Sequence, residues 1–254
     1  MKNNSRFFYI KTHLNLHWGF STRKILFSKT RDSYLIPPPT TLIGVLAYGL
    51  ARIRKYPEEG DGGLSTADYL RKYVKSVNVR VNTALHHYSD LSRIWWYRKR
   101  EKKTKFDAVA LGKVYTHCND PALTVTYILV GEAENELKDL LLASYSISRV
   151  GVKEGITSVS KVEYGVAEVV SSNEAETSYS FWHDLAEIIE GDYMTQSVID
   201  FMRTPIGDYS RAAYRVQAYP YNPITKEPTR VRVRVRAQKA LILKTGNEVV
   251  ITDA

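Results

Sequence analysis

A single cysteine, Cys118, stands in 254 residues. That excludes an intramolecular disulfide framework and a cysteine-rich zinc site, and it fits a reducing compartment. No run reaches the ~18 continuous apolar residues that a membrane helix needs. The longest candidate, residues 41–50, is short and carries Gly44 and Gly49. Residues 1–6 are polar and lack an apolar signal core followed by a small-residue cleavage site. These features predict a soluble, cytoplasmic protein with no membrane association. The six histidines show neither HExxH nor any other metal-ligand spacing, so neither metal nor cofactor is expected. There is no Walker loop, no GxGxxG after a strand and no GxSxG. Glu58-Glu59 sits in loop-like sequence and reads as solvated. Internal repeats and low-complexity tracts are absent too.

What is present is a globular composition, 44% hydrophobic and 25% charged, which rules out an intrinsically disordered chain. The length suits one large domain or two small ones. The net charge of +9 hides a strong asymmetry. Residues 1–120 carry 22 basic and 9 acidic groups, residues 121–200 carry 4 and 14, and residues 201–254 carry 10 and 4. Such segregation suggests a basic surface built from the two chain ends and an acidic surface from the middle. Basic residues interleaved with aromatics point to nucleic acid. Solvated charged faces, or adaptation to heat, are the alternative.

Residues 6–18 alternate, with Ile10, Leu14, Leu16 and Trp18 on one face (Thr12 the polar exception) and Tyr9, Lys11, His13, Asn15 and His17 on the other. Period two predicts a half-buried strand. Gly19 permits a bend before a basic loop holding Arg23, Lys24, Lys29 and Arg31. Pro37-Pro38-Pro39 enforces an extended approach, and Thr40 is the expected N-cap of a helix over 41–53. Gly44 and Gly49 each weaken that helix by ~1 kcal/mol relative to alanine. Close packing of its backbone on a sheet would account for them. A loop over 57–63, a short helix from Ser65 or Thr66 to about Tyr73, and strands over 77–85, 108–115 and 123–130 follow. A helix over 134–145 sets Leu137, Leu140, Leu141 and Tyr145 on one face. Strands over 147–150 and 156–170 flank a turn from Gly151 to Gly155. The polar stretch 171–180 is the best linker candidate, and Ser180 would cap a helix over 181–190. Residues 214–219 and 230–243 are expected to pair as a long hairpin around the loop 220–228. A last hairpin should turn at Gly246-Asn247. The order of elements predicts an α+β sandwich of ferredoxin-like type over residues 1–170, with a smaller β-rich region over 171–254.

Two features could carry chemistry. Residues 93–105 hold Arg93, Arg98, Lys99, Arg100, Lys102, Lys103 and Lys105 against one acid, Glu101, with Trp95, Trp96 and Tyr97 among them and His86 and His87 just before. Cations neutralise phosphates, and aromatic rings offer stacking faces worth ~1–3 kcal/mol per base. Set between two strand-like runs, the segment could project as a finger. The plainer reading is a solvated loop with both tryptophans turned inward. The second feature is the run from Arg230 to Arg236, which alternates arginine and valine. Its charged face, including Arg232 and Arg234, calls for an anionic partner, either phosphates or an acidic protein surface, the chain's own acidic segment among them. An edge strand protected by charge is the alternative. His13 and His17 share one strand face, and a metal-independent ribonuclease needs only a His or Tyr base and a Lys. Those residue types are present, but no spacing selects a set.

Leu16-His17-Trp18-Gly19-Phe20-Ser21 and Tyr34-Leu35-Ile36-Pro37-Pro38-Pro39-Thr40-Thr41-Leu42-Ile43-Gly44 resemble the fifth CRISPR-associated (Cas) protein family in its archaeal type I-A form. The run Arg149-Val150-Gly151-Val152-Lys153-Glu154-Gly155 resembles a second element of that family, a glycine turn after the second helix. The resemblance implies an RNA-recognition-type (RAMP) ferredoxin-like domain with a β-hairpin thumb over about residues 82–118. It implies a non-catalytic subunit of a Cascade surveillance complex in antiviral defence, capping the 5′ tag of the guide RNA (crRNA). Implied neighbours are the backbone subunit of the seventh Cas family, the large subunit, the small subunit and the helicase-nuclease, with target DNA met indirectly. Residues expected at the RNA are Arg23, Lys24, Arg31, Pro38, Thr40, Thr41, His86, His87, Arg149 and Lys153, the basic aromatic segment, and Arg232 and Arg234. Pro38 to Thr41 would offer helix N-terminal amides to a phosphate. One branch of the family cleaves precursor RNA with a Tyr, a His and a Lys. No matching triad maps here, so metal-independent endoribonuclease activity stands as the alternative.

Overall fold

The computed structural model describes residues 6–24, 32–56, 65–116, 121–204 and 212–254. Arg31, Lys29, Cys118 and the loop over 57–63 lie outside them. The first half runs β1 (Phe7–Leu16), α1 (Pro39–Arg54), α2 (Thr66–Leu70), β2 (Val74–Val81), β3 (His86–Arg98), β4 (Lys103–Tyr115), β5 (Leu123–Val130), α3 (Leu137–Tyr145) and β6 (Thr157–Val169). Strands β6, β1, β5 and β2 lie side by side in that order and are antiparallel throughout. Phe8, Ile10, Leu14 and Leu16 of β1 join Leu42, Leu46 and Leu50 of α1 and Leu140 of α3 in one core.

Helix α1 begins earlier than expected. Pro38 is the N-cap, its carbonyl accepting from the Thr41 and Leu42 amides, and no side chain caps the helix. Pro39 occupies the first helical position, where its missing N–H costs nothing. Thr40 therefore lies inside the helix and is not its cap. Gly49 is explained by close packing, but against α3 and not a sheet: a Cβ there would lie 2.6 Å from the Ala143 carbonyl oxygen. Gly44 meets nothing within 4 Å. Residues 131–136 form a 3₁₀ stretch before α3, and Tyr145 points outward, so the buried face is narrower than the sequence pattern suggested. The strand expected over 147–150 reduces to a single bridge, Arg149 to Ile156.

The second half is β7 (Glu174–Thr177), β8 (Phe181–Trp182), β9 (Ala186–Glu190), β10 (Met194–Ile199), β11 (Tyr214–Tyr219), β12 (Tyr221–Asn222), β13 (Glu227–Pro228), β14 (Val231–Val235), β15 (Ala240–Thr245) and β16 (Glu248–Asp253). Residues 171–180 are not a bare linker. β7 pairs with β14, and Thr177, Tyr179 and Ser180 are buried. The helix expected over 181–190 is absent. Ser180 does not cap it, because its hydroxyl accepts from the Val79 amide of β2, and the chain continues extended into β8 and β9. The long hairpin does not form either. β11 pairs with β10 and β8, and β14 with β7 and β9; only the two-residue strands β12 and β13 close the loop between them. The β15–β16 hairpin turns at Gly246 (φ +68°) as expected.

β15 pairs with β6 at Leu243–Val169 and Lys244–Glu168, carrying the last hairpin onto the main sheet. Leu243, Val250 and Tyr179 then cover Phe7 and Tyr9. Strand β1 is thus buried on both faces, not one. Even Lys11 is buried, its ammonium meeting the Glu248 carboxylate and the Thr245 carbonyl. Trp18 leaves the core side altogether: β1 ends at Leu16 after a bulge at His13–Leu14, and Trp18 is 73% exposed.

Candidate nucleic-acid interface

Strands β3 and β4 pair with each other, from His86–Tyr115 out to Arg98–Lys103, as a two-stranded finger held at its base by a single Phe20–Val114 bridge. Its aromatics face solvent. Trp95 is 68% and Phe106 67% exposed, and Trp96 and Tyr97 are exposed as well, which excludes the inward-turned alternative. Period two sorts the side chains. One face carries Leu91, Arg93, Trp95 and Tyr97, with Phe106 edge-on to Trp95 at 4.4 Å between ring centroids. The opposite face carries Tyr88 and Lys113 near the base, then Trp96, Lys105, Arg98 and Lys103. There the Arg98 guanidinium lies 4.8 Å over the Trp96 ring, and Arg98 and Lys105 both reach Glu101. Lys99, Arg100 and Lys102 at the tip have no carboxylate within 4 Å among the described residues.

The base of the finger is fixed by the same glycines that stand out in the sequence. Gly19 sits at φ +70°, and a Cβ there would lie 1.9 Å from the Val114 carbonyl oxygen. Close approach lets Phe20 and Val114 exchange backbone hydrogen bonds, both 2.8 Å. The Ser21 hydroxyl donates to the Gly112 carbonyl (2.7 Å). The Ser21 carbonyl accepts from the Val152 amide (3.1 Å), and Gly151 (φ +74°) leaves no room for a side chain beside it. The first motif, the finger and the glycine turn therefore converge on residues 19–21. On the other side His87 pairs with Asp32 (3.0 Å), which also pairs with Lys24 (3.6 Å). His86 stacks on Tyr115 and contacts Lys226.

Among the described residues, cavities open along this junction, three of which bear on the site. The largest, about 410 Å³, lies between α1 and the glycine turn, lined by Thr41, Gly44, Tyr48, Arg149 and Gly151 among others. Arg149 there lies 4.5 Å over the Tyr48 ring. A second, about 240 Å³, shares Thr41 and adds Arg23, Lys24, Pro38, Thr40 and Tyr214. The third, about 370 Å³, lies at the foot of the finger, lined by Trp18, Phe20, Tyr88, Lys113, Glu154 and Ile156 among others. The structure so gathers Arg23, Lys24, Pro38, Thr40, Thr41 and Arg149 into adjoining cavities. Lys153 sits on the exposed turn between Val152 and Glu154. Tyr48, Tyr88, Lys113 and Glu154 were not singled out in the sequence, because their shared location arises from cross-strand pairing and from the glycine turn reaching residue 21.

Arg232 and Arg234 stand apart, on the β7-β14-β9 sheet. Arg230 faces Glu176 (3.5 Å), Arg232 faces Glu190 (3.6 Å) and Arg234 faces Glu174 (2.8 Å), while the intervening valines are buried. Acidic residues of the chain's own middle segment thus lie against this stripe, whose arginine side chains stay more than half exposed. Arg215 likewise meets Asp184, Asp200 and Asp253. Five cations of the C-terminal region, Arg203, Arg215, Arg230, Arg232 and Arg234, thereby face acidic residues, while Lys226 joins the base of the finger at His86. His13 is largely buried, its Nε2 2.8 Å from Glu163 and its Nδ1 3.3 Å from the Thr124 hydroxyl. Burial lowers its pKa in spite of the Glu163 carboxylate. No helix among the described residues is long and apolar enough to cross a membrane, and no group of three or more potential metal ligands occurs among them.

No protein-family model matches the chain. It is 34% identical over 179 residues to the CRISPR system aCascade subunit Cas5 1 of Saccharolobus solfataricus, covering 68% of this chain and 71% of that protein. A second protein of that organism, CRISPR-associated protein Cas5 3, is 33% identical over the same shares. Among solved structures, a CRISPR protein from Archaeoglobus fulgidus superposes with a TM-score of 0.64, covering 98% of this chain and 99% of that one at 21% identity. That likeness is one of fold.

Proposed function

The chain belongs to the Cas5 family of CRISPR proteins, and from that premise we propose that it is a Cascade subunit that grips the 5′ tag of the guide RNA without cleaving it. The finger is read as the thumb, pressing on single-stranded RNA beside the first backbone subunit of the seventh Cas family, with the large subunit docked nearby. The unit β6-β1-β5-β2 with α1 and α3 is read as ferredoxin-like; the antiparallel order of those four strands supports this.

The observation that carries the proposal is the convergence of the thumb and both glycine motifs on residues 19–21, with cavities bearing Arg23, Lys24, Arg149 and Lys113 around them. RNA read in single-stranded form needs separated phosphate contacts and stacking faces, and this junction offers both. The non-catalytic reading is favoured by His13, one of the two histidines on the first strand's face, which has both ring nitrogens engaged within the sheet; His17, the other, holds the Ser158 hydroxyl through Nε2.

A native gel shift with end-labelled guide RNA in EDTA tests this. Preferential retardation of the intact tag over a scrambled one, with the label at full length, is expected. Equal binding of both would refute tag recognition by the isolated chain. Products ending in 2′,3′-cyclic phosphate would replace the proposal with the endoribonuclease alternative.

A further inference from the structure

We infer that the cavity at the foot of the thumb is a nucleobase site selective for guanine. This rests on the RNA-binding reading above and assigns one specificity within it. The cavity, about 370 Å³, can enclose one unstacked base with space to spare, and its walls are largely apolar. Trp18, 73% exposed although it is the largest side-chain type, projects from the Gly19 bend into this space. Trp18 shares this space with exposed Tyr88, Val152 and Ile156, and a contiguous apolar patch at a site rigidified by the two Phe20–Val114 hydrogen bonds marks a binding surface. Tyr88 lines the cavity too and is held edge-on by Tyr115 at 5.4 Å. Extruded bases are held by such apolar and aromatic walls.

Two ionised groups at the cavity set the choice of base. Glu154 is an acceptor only, and Lys113 a donor only. Lys113 is the cross-strand neighbour of Tyr88, so both project from one thumb face. Its ammonium is anchored 3.0 Å from Asp90, whose hydrogen bond holds it protonated, with Glu154 adding to the same effect. Guanine offers N1–H and N2–H donors side by side, which a carboxylate accepts together, and an adjoining O6 acceptor for an ammonium. Adenine and cytosine set a ring-nitrogen acceptor next to their amine, which opposes the second carboxylate oxygen. Uracil flanks its one N–H with two carbonyls. Every base can offer one donor to the carboxylate and one acceptor to the ammonium, but only guanine fills both carboxylate oxygens with adjacent N–H donors while presenting an acceptor to the ammonium, and a bidentate contact of this kind discriminates by roughly tenfold or more.

The test uses the full chain and fluorescently labelled eight-nucleotide oligouridine, with a central guanosine, inosine or uridine, read by anisotropy at low salt. Guanosine should tighten binding about tenfold over uridine, and inosine, which lacks the N2 amine, should lose most of that gain. Glu154→Gln should bring the guanosine-to-uridine ratio close to one. Trp18→Tyr should keep the ratio while Trp18→Ala diminishes it. Equal affinity for all three oligomers, or a guanosine preference that survives in Glu154→Gln, overturns the guanine site while leaving RNA binding standing. Failure of every oligomer and of the tagged guide to bind overturns both readings together.

Discussion

Replacing Gly19 by alanine isolates the joint between the core and the thumb. Two costs add. A residue with a Cβ in the left-handed region loses about 1–2 kcal/mol. The Cβ would also stand 1.9 Å from the Val114 carbonyl oxygen, 2.8 Å from its carbon and 2.9 Å from the Tyr115 Cα, so the strands must separate. Separation sacrifices the two 2.8 Å Phe20–Val114 hydrogen bonds, about 1 kcal/mol each. The sum is about 3–4 kcal/mol against a seated thumb, within the 5–15 kcal/mol that typically holds a domain together. The variant should therefore fold, with a lowered urea midpoint and with amides of residues 86–115 exchanging orders of magnitude faster than in the parent. Gly44→Ala, in the neighbouring motif, is the internal contrast. Nothing lies within 4 Å of its new methyl, so it should stabilise the chain by about 0.5–1 kcal/mol through helix propensity. Guide affinity should fall in both, in the first through a loosened thumb and in the second through a methyl placed in the Arg149 cavity. A Gly19→Ala protein with parental exchange rates and urea midpoint would refute the reasoning.

Charge reversal at Arg98, Lys99 and Arg100 together should weaken guide binding and reduce the slope of log affinity against log salt by about 2, measured by salt titration. Serine at both Arg232 and Arg234 should change guide affinity by no more than about twofold, because those side chains already face Glu190 and Glu174; a larger loss in filter binding would return them to the RNA surface. Gly49→Ala should cost about 1–3 kcal/mol in urea unfolding, since its Cβ meets Ala143 and Ser146 of the α3 end at 2.6 Å. Acidification should weaken the fold through His13. Its folded-state pKa lies below the unfolded value, so the unfolded chain takes up the proton first. The stability present above ~6.5 is then lost as pH falls towards the folded value. His13→Asn should flatten that part of the stability curve, and an unchanged slope between pH 7 and 5 would show that burial of His13 contributes nothing.

Local pattern alone determined a good part of this protein. Alternation marked β1, the prolines and glycines marked the entry to α1 and the bend at residue 19, and the basic aromatic run marked a projecting finger. Each of those signals is carried within a few residues, by dihedral preference or by side-chain period. Part of the family motifs was legible for the same reason, since Gly19, Gly151 and Gly155 are required by left-handed backbone or by contact with another backbone stretch, whereas Gly44 is not. The C-terminal half was not legible in this way. Residues 181–190 read as a capped helix, yet the Ser180 hydroxyl accepts from the Val79 amide of β2, and extended pairing across the chain outweighs weak helix propensity. The arginine–valine strand carried a clear two-faced pattern but no record of its partner. Only the arrangement of β7 and β9 on either side of β14 decided that its cations meet Glu174, Glu176 and Glu190. The cavity at the foot of the thumb was decided last of all. Trp18, Tyr88, Lys113 and Glu154 come from three distant stretches, and contacts of that sequence separation depend on backbone approaches that no single stretch encodes.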